Sequence, residues 1–160
     1  MKEARYFYVP NATEDNELPT DEAIHAIRVL RLKIGDDIFL IDGKGTFYEA
    51  VVTLANSKHC LYKITQTLVQ NKTWKGHIHL AIAPTKDISR IEWLVEKATE
   101  IGFDEISFLN CQFSERKNLR IDRIERIVIS AMKQSRKAWK PIVNNMLSFE
   151  DFMQKEVTGQ

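Results

Sequence analysis

The strongest constraint on the fold is a change in hydrophobic pattern near residue 72. Before it, short runs of alternating large and polar side chains are separated by turn residues, which is typical of antiparallel strands. After it, a continuous apolar run is followed by an apolar stripe at helical spacing, which is typical of strand–helix–strand units. The sequence therefore predicts two domains, residues 1–71 and residues 72–160, and a fold class of α/β plus β.

The first predicted domain is a small β-barrel. Strands are expected at 4–9, 36–42, 46–54 and 59–69. A hairpin is expected to begin at Asp42-Gly43, because this dipeptide suits the tight turns that join antiparallel strands. A helix is expected at 20–32, where apolar residues recur at helical spacing after two acidic residues. One short helix among antiparallel strands predicts a closed or nearly closed barrel.

The second predicted domain is a parallel α/β sheet that the 160 residues leave incomplete. The run HIHLAIA at 77–83 is continuously apolar, which favours a strand buried on both faces. A helix is expected after Asp87, which can cap it, and Gly102 suits the helix end. A second strand at 105–109, a helix at 120–136, a short strand at 141–143 and a helix from Ser148 complete the pattern.

Several functional classes are excluded by missing motifs. The chain has no GxGxxG, P-loop, HExxH, CxxC or GxSxG sequence. His77 and His79 would share one face of a strand, but no third ligand lies at short spacing, so no metal site is predicted. No apolar run approaches the roughly 18–20 residues that span a bilayer, and no signal peptide is evident. We therefore expect a cytoplasmic protein that does not bind membranes.

The net charge of +1 hides a basic segment. Between residues 110 and 141 there are nine basic residues and three acidic ones. Arginine and lysine bind phosphates, while glutamine and serine can contact polar base edges. From residue types alone, a phosphate-rich partner and an ordinary solvated helix face are both open. His25, Arg28 and Arg31 add a second basic face at a spacing of three residues.

Taken together, these segments resemble the RsmE family of ribosomal RNA methyltransferases. The resemblance is carried by RYFYVP at 5–10, HAIRVLRLKIGDDI at 25–38, APTKDISRIEWLVEKATEIG at 83–102, SERK at 114–117 and AMKQSRKAWKP at 131–141. It implies an N-terminal PUA-like β-barrel followed by a SPOUT-type α/β domain, which in the family ends in a trefoil knot. It also implies methylation of N3 of a uridine in small-subunit ribosomal RNA, with S-adenosylmethionine as cofactor.

The knot motifs are where the sequence departs from the family. A GPEGG-type loop and a later LG…ILR…ETA segment hold the cofactor in the family, and neither occurs in these 160 residues. We therefore expect no cofactor-binding residues in this chain, no activity of the chain alone, and a homodimer only for the full-length protein. The alternatives are a non-catalytic RNA-binding protein and an assembly protein whose sheet is completed by a partner.

The resemblance also implies site residues. Arg136 is the catalytic candidate, because it could stabilise the developing uracil anion, and no metal is required. The residues expected to bind RNA are His25, Arg28, Arg31, Lys86, Arg116, Lys117, Arg120, Arg123, Gln134, Ser135 and Arg136.

Overall fold

The computed structural model describes residues 5–154, and their contacts group into two units. The first unit contains the described residues up to Trp74 together with Met132–Trp139. The second contains Lys75–Ala131 and the described residues from Lys140 onward. The return of 132–139 to the first unit was not expected from the sequence, because it depends on contacts between distant parts of the chain.

The first unit is built on a four-stranded sheet with the order β1-β2-β3-β4. Its elements are β1 (Tyr6–Tyr8), α1 (Thr20–Ile24), a π-helical turn (His25–Val29), β2 (Asp37–Ile41), β3 (Thr46–Ala55) and β4 (Cys60–Val69). The strands β2, β3 and β4 form the expected antiparallel meander, whereas β1 pairs with β2 in parallel. A closed or nearly closed barrel was expected, and within residues 5–154 no strand pairing closes the sheet, so the closed form is not observed.

The predicted hairpin between β2 and β3 is confirmed. The buried Asp42 carboxylate accepts hydrogen bonds from the backbone N–H groups of Lys44 (2.7 Å) and Thr46 (3.0 Å). Gly45 has a φ of +104°, and a side chain at this position would overlap the ring of Trp139. The turn therefore needs glycine both for its backbone conformation and for the close approach of Trp139.

The second unit contains a parallel sheet with the order β5-β6-β7, and β8 also pairs with β6. Its elements are β5 (His79–Ile82), α2 (Ile88–Ile101), β6 (Glu105–Asn110), α3 (Ile121–Ser135), β7 (Ile142–Val143), β8 (Leu147–Ser148) and α4 (Phe149–Met153). The last turn of α3, from Met132, is grouped with the first unit. None of the helices within residues 5–154 is both long and apolar enough to cross a membrane.

The strand–helix–strand prediction is confirmed, with one correction. The Asp87 carboxylate caps α2 by accepting from the Ser89 N–H at 3.0 Å, and Gly102 ends the helix at a φ of +121°. The strand at 77–83 is shorter than expected and is not buried on both faces, since Ala81 is exposed. The reason is that β5 pairs only with β6 among the described residues and is an edge strand there.

Candidate nucleic-acid interface

The predicted RNA-binding residues fall into two groups that are described separately. The first unit holds His25, Arg28, Arg31, Gln134, Ser135 and Arg136. The second unit holds Lys86, Arg116, Lys117, Arg120 and Arg123. The two groups differ in how many of their cations are available to a ligand, because most cations of the second group already have partners in the protein.

The basic face of the first unit lies on a π-helical turn. His25 and Arg28 belong to the turn, whose π-type hydrogen bond joins the Leu30 N–H to the His25 carbonyl at 3.1 Å. Arg31 follows with a φ of +53°. The side chains of His25, Arg28 and Arg31 are exposed and make no hydrogen bond or ion pair with any residue in the described range. Short π-helical segments often occur at functional sites.

A second unusual backbone occurs at the end of α3. Arg136 has a φ of +54°, and the Lys137 N–H donates to the Met132 carbonyl at 3.0 Å. This is the Schellman arrangement, in which the left-handed position is usually glycine. Within residues 5–154, Arg31 and Arg136 are the only non-glycine residues with positive φ. Such strain persists only where the surroundings enforce it, and it is concentrated at functional sites.

The Arg136 side chain lies over an aromatic ring. Its guanidinium carbon is 5.6 Å from the centre of the Tyr6 ring, which is within cation–π range. Next to it, Lys133 forms an ion pair with Glu22 at 2.7 Å, and Glu22 also accepts from the Tyr8 N–H at 3.2 Å. Tyr6 and Glu22 were missed by the sequence reasoning, because more than a hundred residues separate them from their partners.

In the second unit, a cleft of about 1160 Å³ opens at the carboxyl ends of β5 and β6. It is lined by residues 83–86, which follow β5, by 110–115 and 117, which follow β6, and by 148–150. Ligands of open α/β sheets bind at this end of the strands. The cleft brings together Lys86 and Lys117, and Arg116 lies beside them on a neighbouring surface.

The basic residues at the cleft are already engaged with the loops. Arg116 donates to the carbonyls of Thr85 (3.2 Å) and Lys86 (2.5 Å), so it ties the loop after β5 to the loop after β6. Lys117 donates to the Asn110 side chain at 3.0 Å and to the Cys111 carbonyl at 3.2 Å. These contacts shape the cleft, and they leave fewer donors for an RNA phosphate.

Arg120 and Arg123 have acidic partners. Arg120 pairs with Asp122 at 2.9 Å, and its hydrogen bond lowers the pKa of the Asp122 carboxyl. Arg123 donates to Glu92 at 2.8 Å. A phosphate would have to compete with these carboxylates, so both arginines are weaker candidates than Arg28 and Arg31, which have no acidic partner among residues 5–154.

Two histidines at the start of β5 meet a carboxylate: His79 begins the strand, and His77 lies two residues before it. His77 and His79 approach Glu105 at 2.9 Å and 3.7 Å, and His79 also contacts the Ser107 hydroxyl at 2.9 Å. Burial acts to raise the pKa of Glu105, but hydrogen bonds from Asn144 and His77 outweigh it and lower the pKa. Over residues 5–154 no group of three or more His, Cys, Asp or Glu side chains is arranged to hold a metal.

The residues that line the cleft form walls for a ligand at this edge of the sheet, and none of them is glycine.

Two family models match the chain. The model described as "RNA methyltransferase domain" matches residues 72–159, and the model described as "RNA methyltransferase PUA domain" matches residues 18–65. A curated relative, the ribosomal RNA small subunit methyltransferase E of Rickettsia conorii, is 25% identical over 158 residues. That match covers 97% of this chain but 64% of the relative, so the chain spans less than two thirds of the relative's length.

Solved structures share the fold. A probable rRNA-methyltransferase from Porphyromonas gingivalis superposes with a TM-score of 0.88 at 40% identity, over 96% of this chain and 64% of that one. A ribosomal RNA small subunit methyltransferase E from Neisseria gonorrhoeae, solved bound to S-adenosyl methionine, gives a TM-score of 0.84. The latter is 22% identical and covers 98% of this chain and 67% of that one, so it supports the fold alone.

Proposed function

Because the chain belongs to the RNA methyltransferase family, as the resemblance to RsmE proteins indicated, we propose that the protein containing it methylates small-subunit ribosomal RNA. The target is N3 of a uridine, and S-adenosylmethionine is the methyl donor. Support comes from curated relatives named ribosomal RNA small subunit methyltransferase E and from the match to the RNA methyltransferase domain model, while the cofactor is the one that the family resemblance implies. Such a protein works in the cytoplasm, where ribosomes are assembled.

The contribution of this chain is to hold RNA. The observation that carries this proposal is the pair of strained arginines, Arg31 and Arg136, whose exposed side chains have no carboxylate partner among residues 5–154. Left-handed backbone costs roughly 1–2 kcal/mol for a residue with a Cβ. Arg28 adds a second exposed cation close to Arg31 in the chain, which suits a phosphate backbone, and His25 adds an exposed imidazole.

The chain's own residues supply donors and charge for RNA. Removal of the N3 proton leaves negative charge on the uracil ring, and Arg136 is placed in our proposal to stabilise it. A preorganised cation is the kind of group that lowers the energy of a developing anion. Gln134 and Ser135 hold the base, while Lys86, Arg116 and Lys117 contribute contacts from the second unit.

The 160-residue chain alone is proposed to lack methyltransferase activity. The GPEGG-type and LG…ILR…ETA motifs are not found in its sequence, and no glycine lines the cleft. The chain also spans 64% of the Rickettsia relative. The homodimer expected for the full-length protein remains a prediction.

A methyl-transfer assay on small-subunit RNA tests this function. The whole protein should transfer a labelled methyl group from S-adenosylmethionine, and the modified uridine should stop reverse transcription, because methylation of N3 blocks base pairing. The 160-residue chain should transfer none. Methyl transfer by the purified 160-residue chain would refute its proposed inactivity. No methyl transfer by the whole protein would refute the enzyme assignment.

The second candidate function is non-catalytic RNA binding or ribosome assembly. It is supported by the exposed Arg28 and Arg31, which have no carboxylate partner among residues 5–154 and can hold RNA without a cofactor. It predicts salt-dependent RNA binding that S-adenosylmethionine does not change, even in the whole protein.

A further inference from the structure

The face of the first sheet opposite the core residues Phe7 and Leu40 carries a partly exposed aromatic cluster that the proposed function does not use. The Tyr6 and Phe39 rings are stacked, with centres 5.0 Å apart and planes 26° apart. Phe47 meets the edge of Tyr6 at 5.9 Å. The pairing register explains the first contact, because Tyr6 of β1 lies directly beside Phe39 of β2. The Tyr6 ring is thereby held from two sides.

Arg136 adds a further layer to this cluster. Its guanidinium carbon lies 5.6 Å from the Tyr6 ring centre. The side chain is exposed and makes no hydrogen bond or ion pair with the described residues. The left-handed backbone at Arg136 therefore does not serve an ion pair. Glycine would end the same helix without strain. We therefore expect the arginine side chain to have a function of its own at this position.

A guanidinium over an aromatic ring has one chemical use that fits an RNA-binding protein. Unpaired bases stack on aromatic rings and on the flat face of arginine, and the interaction tolerates any base. Gln134, two residues before Arg136, is also exposed and without a partner in the described part of the chain, so its amide is available for a base edge.

We propose that Phe39, Tyr6 and Arg136 form a layered stack whose outermost member, the Arg136 guanidinium, receives an unpaired nucleobase of an RNA strand, with Tyr6 as a positioning residue. This inference rests on the proposed RNA-binding function and deepens it, because it specifies that the flat face of the Arg136 guanidinium contacts the plane of a base. It also assigns a role to Tyr6, which makes no contact with RNA itself.

The test compares two ligands that carry the same phosphates. The 160-residue chain is titrated with a short oligouridylate and with a chain of abasic ribose phosphates of equal length. Removal of the bases should weaken binding to the unaltered chain by roughly five- to tenfold, the lower part of the range for base stacking. The variant Arg136→Lys keeps the positive charge but lacks the flat guanidinium on which a base can stack. Its affinities for the two ligands should therefore become nearly equal.

The Tyr6 variants separate positioning from folding. Tyr6→Phe retains the ring and should keep the preference for intact RNA, whereas Tyr6→Leu should lose most of it while phosphate-driven, salt-dependent binding persists. Equal base preference in Arg136→Lys and the unaltered chain, or in Tyr6→Leu and Tyr6→Phe, would overturn the stack and leave the proposed function intact. No binding of intact RNA by the unaltered chain would overturn both.

Discussion

Arg31 and Arg136 occupy helix ends where glycine is the usual residue. Each has a φ near +50°, and each was among the residues that the sequence resemblance assigned to RNA. Sequence reasoning could select them because they are basic and lie in family-like segments. It could not predict the left-handed backbone, which is imposed by the hydrogen bonds that end the helices rather than by the arginines themselves.

The strain at Arg136 can be measured by comparing two truncations. Arg136→Ala and Arg136→Gly both remove the guanidinium, but only glycine adopts this backbone freely. The glycine variant should be more stable than the alanine variant by about 1 kcal/mol in chemical denaturation. The matched control is Gln134, which lies in the regular part of α3.

At Gln134 the order of stability should reverse, so that the alanine variant is the more stable one, since glycine in a helix costs about 0.5–1 kcal/mol relative to alanine. If the alanine variant were more stable than the glycine variant at both positions, the result would contradict a strained backbone at Arg136.

Elements with a regular hydrophobic period were predicted well. The α2 and α3 bounds, Ile88–Ile101 and Ile121–Ser135, differ from the expected ones by a residue or two, because local periodicity and caps specify them. The helix expected at 20–32 instead ends in a π-helical turn, and β1 pairs in parallel. Both depend on packing against distant strands, which a local pattern does not contain.

The hairpin between β2 and β3 should be sensitive at Gly45. Gly35→Ala and Gly45→Ala both place a Cβ on a backbone with positive φ, but only at Gly45 does that Cβ meet the Trp139 ring. Gly45→Ala should therefore lower the free energy of unfolding by about 1–3 kcal/mol more than Gly35→Ala does, which is the usual cost of overpacking. Equal losses at the two positions would mean that Trp139 moves aside without cost.

The network around Glu105 predicts an acid dependence. The lowered pKa of Glu105 means that its ionised form is stabilised by folding, so this stability is present above its ordinary value of 4.5 and is lost as pH falls through the lowered pKa. Glu105→Gln should cost about 1 kcal/mol at neutral pH, because it removes charge-assisted bonds to Asn144 and His77.

The difference between Glu105→Gln and the unaltered chain should narrow as the pH is lowered to about 3. Thermal unfolding followed across this range gives the measurement, and a difference that does not change with pH would contradict the role of the ionised carboxylate.

At the scale of the whole molecule, counting charges along the sequence did not predict which cations are available to a ligand. The basic segment between 110 and 141 holds nine of the chain's 23 lysines and arginines, yet Arg120, Arg123, Lys133 and Lys140 pair with carboxylates. The partner of Lys133 is Glu22, 111 residues away in the chain. Sequence identifies the cations, but only the fold decides which of them remain available to a ligand. The division at residues 71 and 72 stays a prediction.

The most direct test of RNA holding by this chain is a salt titration of its binding to a small-subunit RNA fragment, with two double variants. Arg28→Ala/Arg31→Ala removes unpaired cations, and Arg120→Ala/Arg123→Ala removes an equal number that have carboxylate partners. The first pair should weaken binding and reduce the slope of log affinity against log salt by roughly 1.5, as expected for two lost phosphate contacts. The second should change the slope little. A larger loss for the second pair, or no binding by the unaltered chain, would contradict the account.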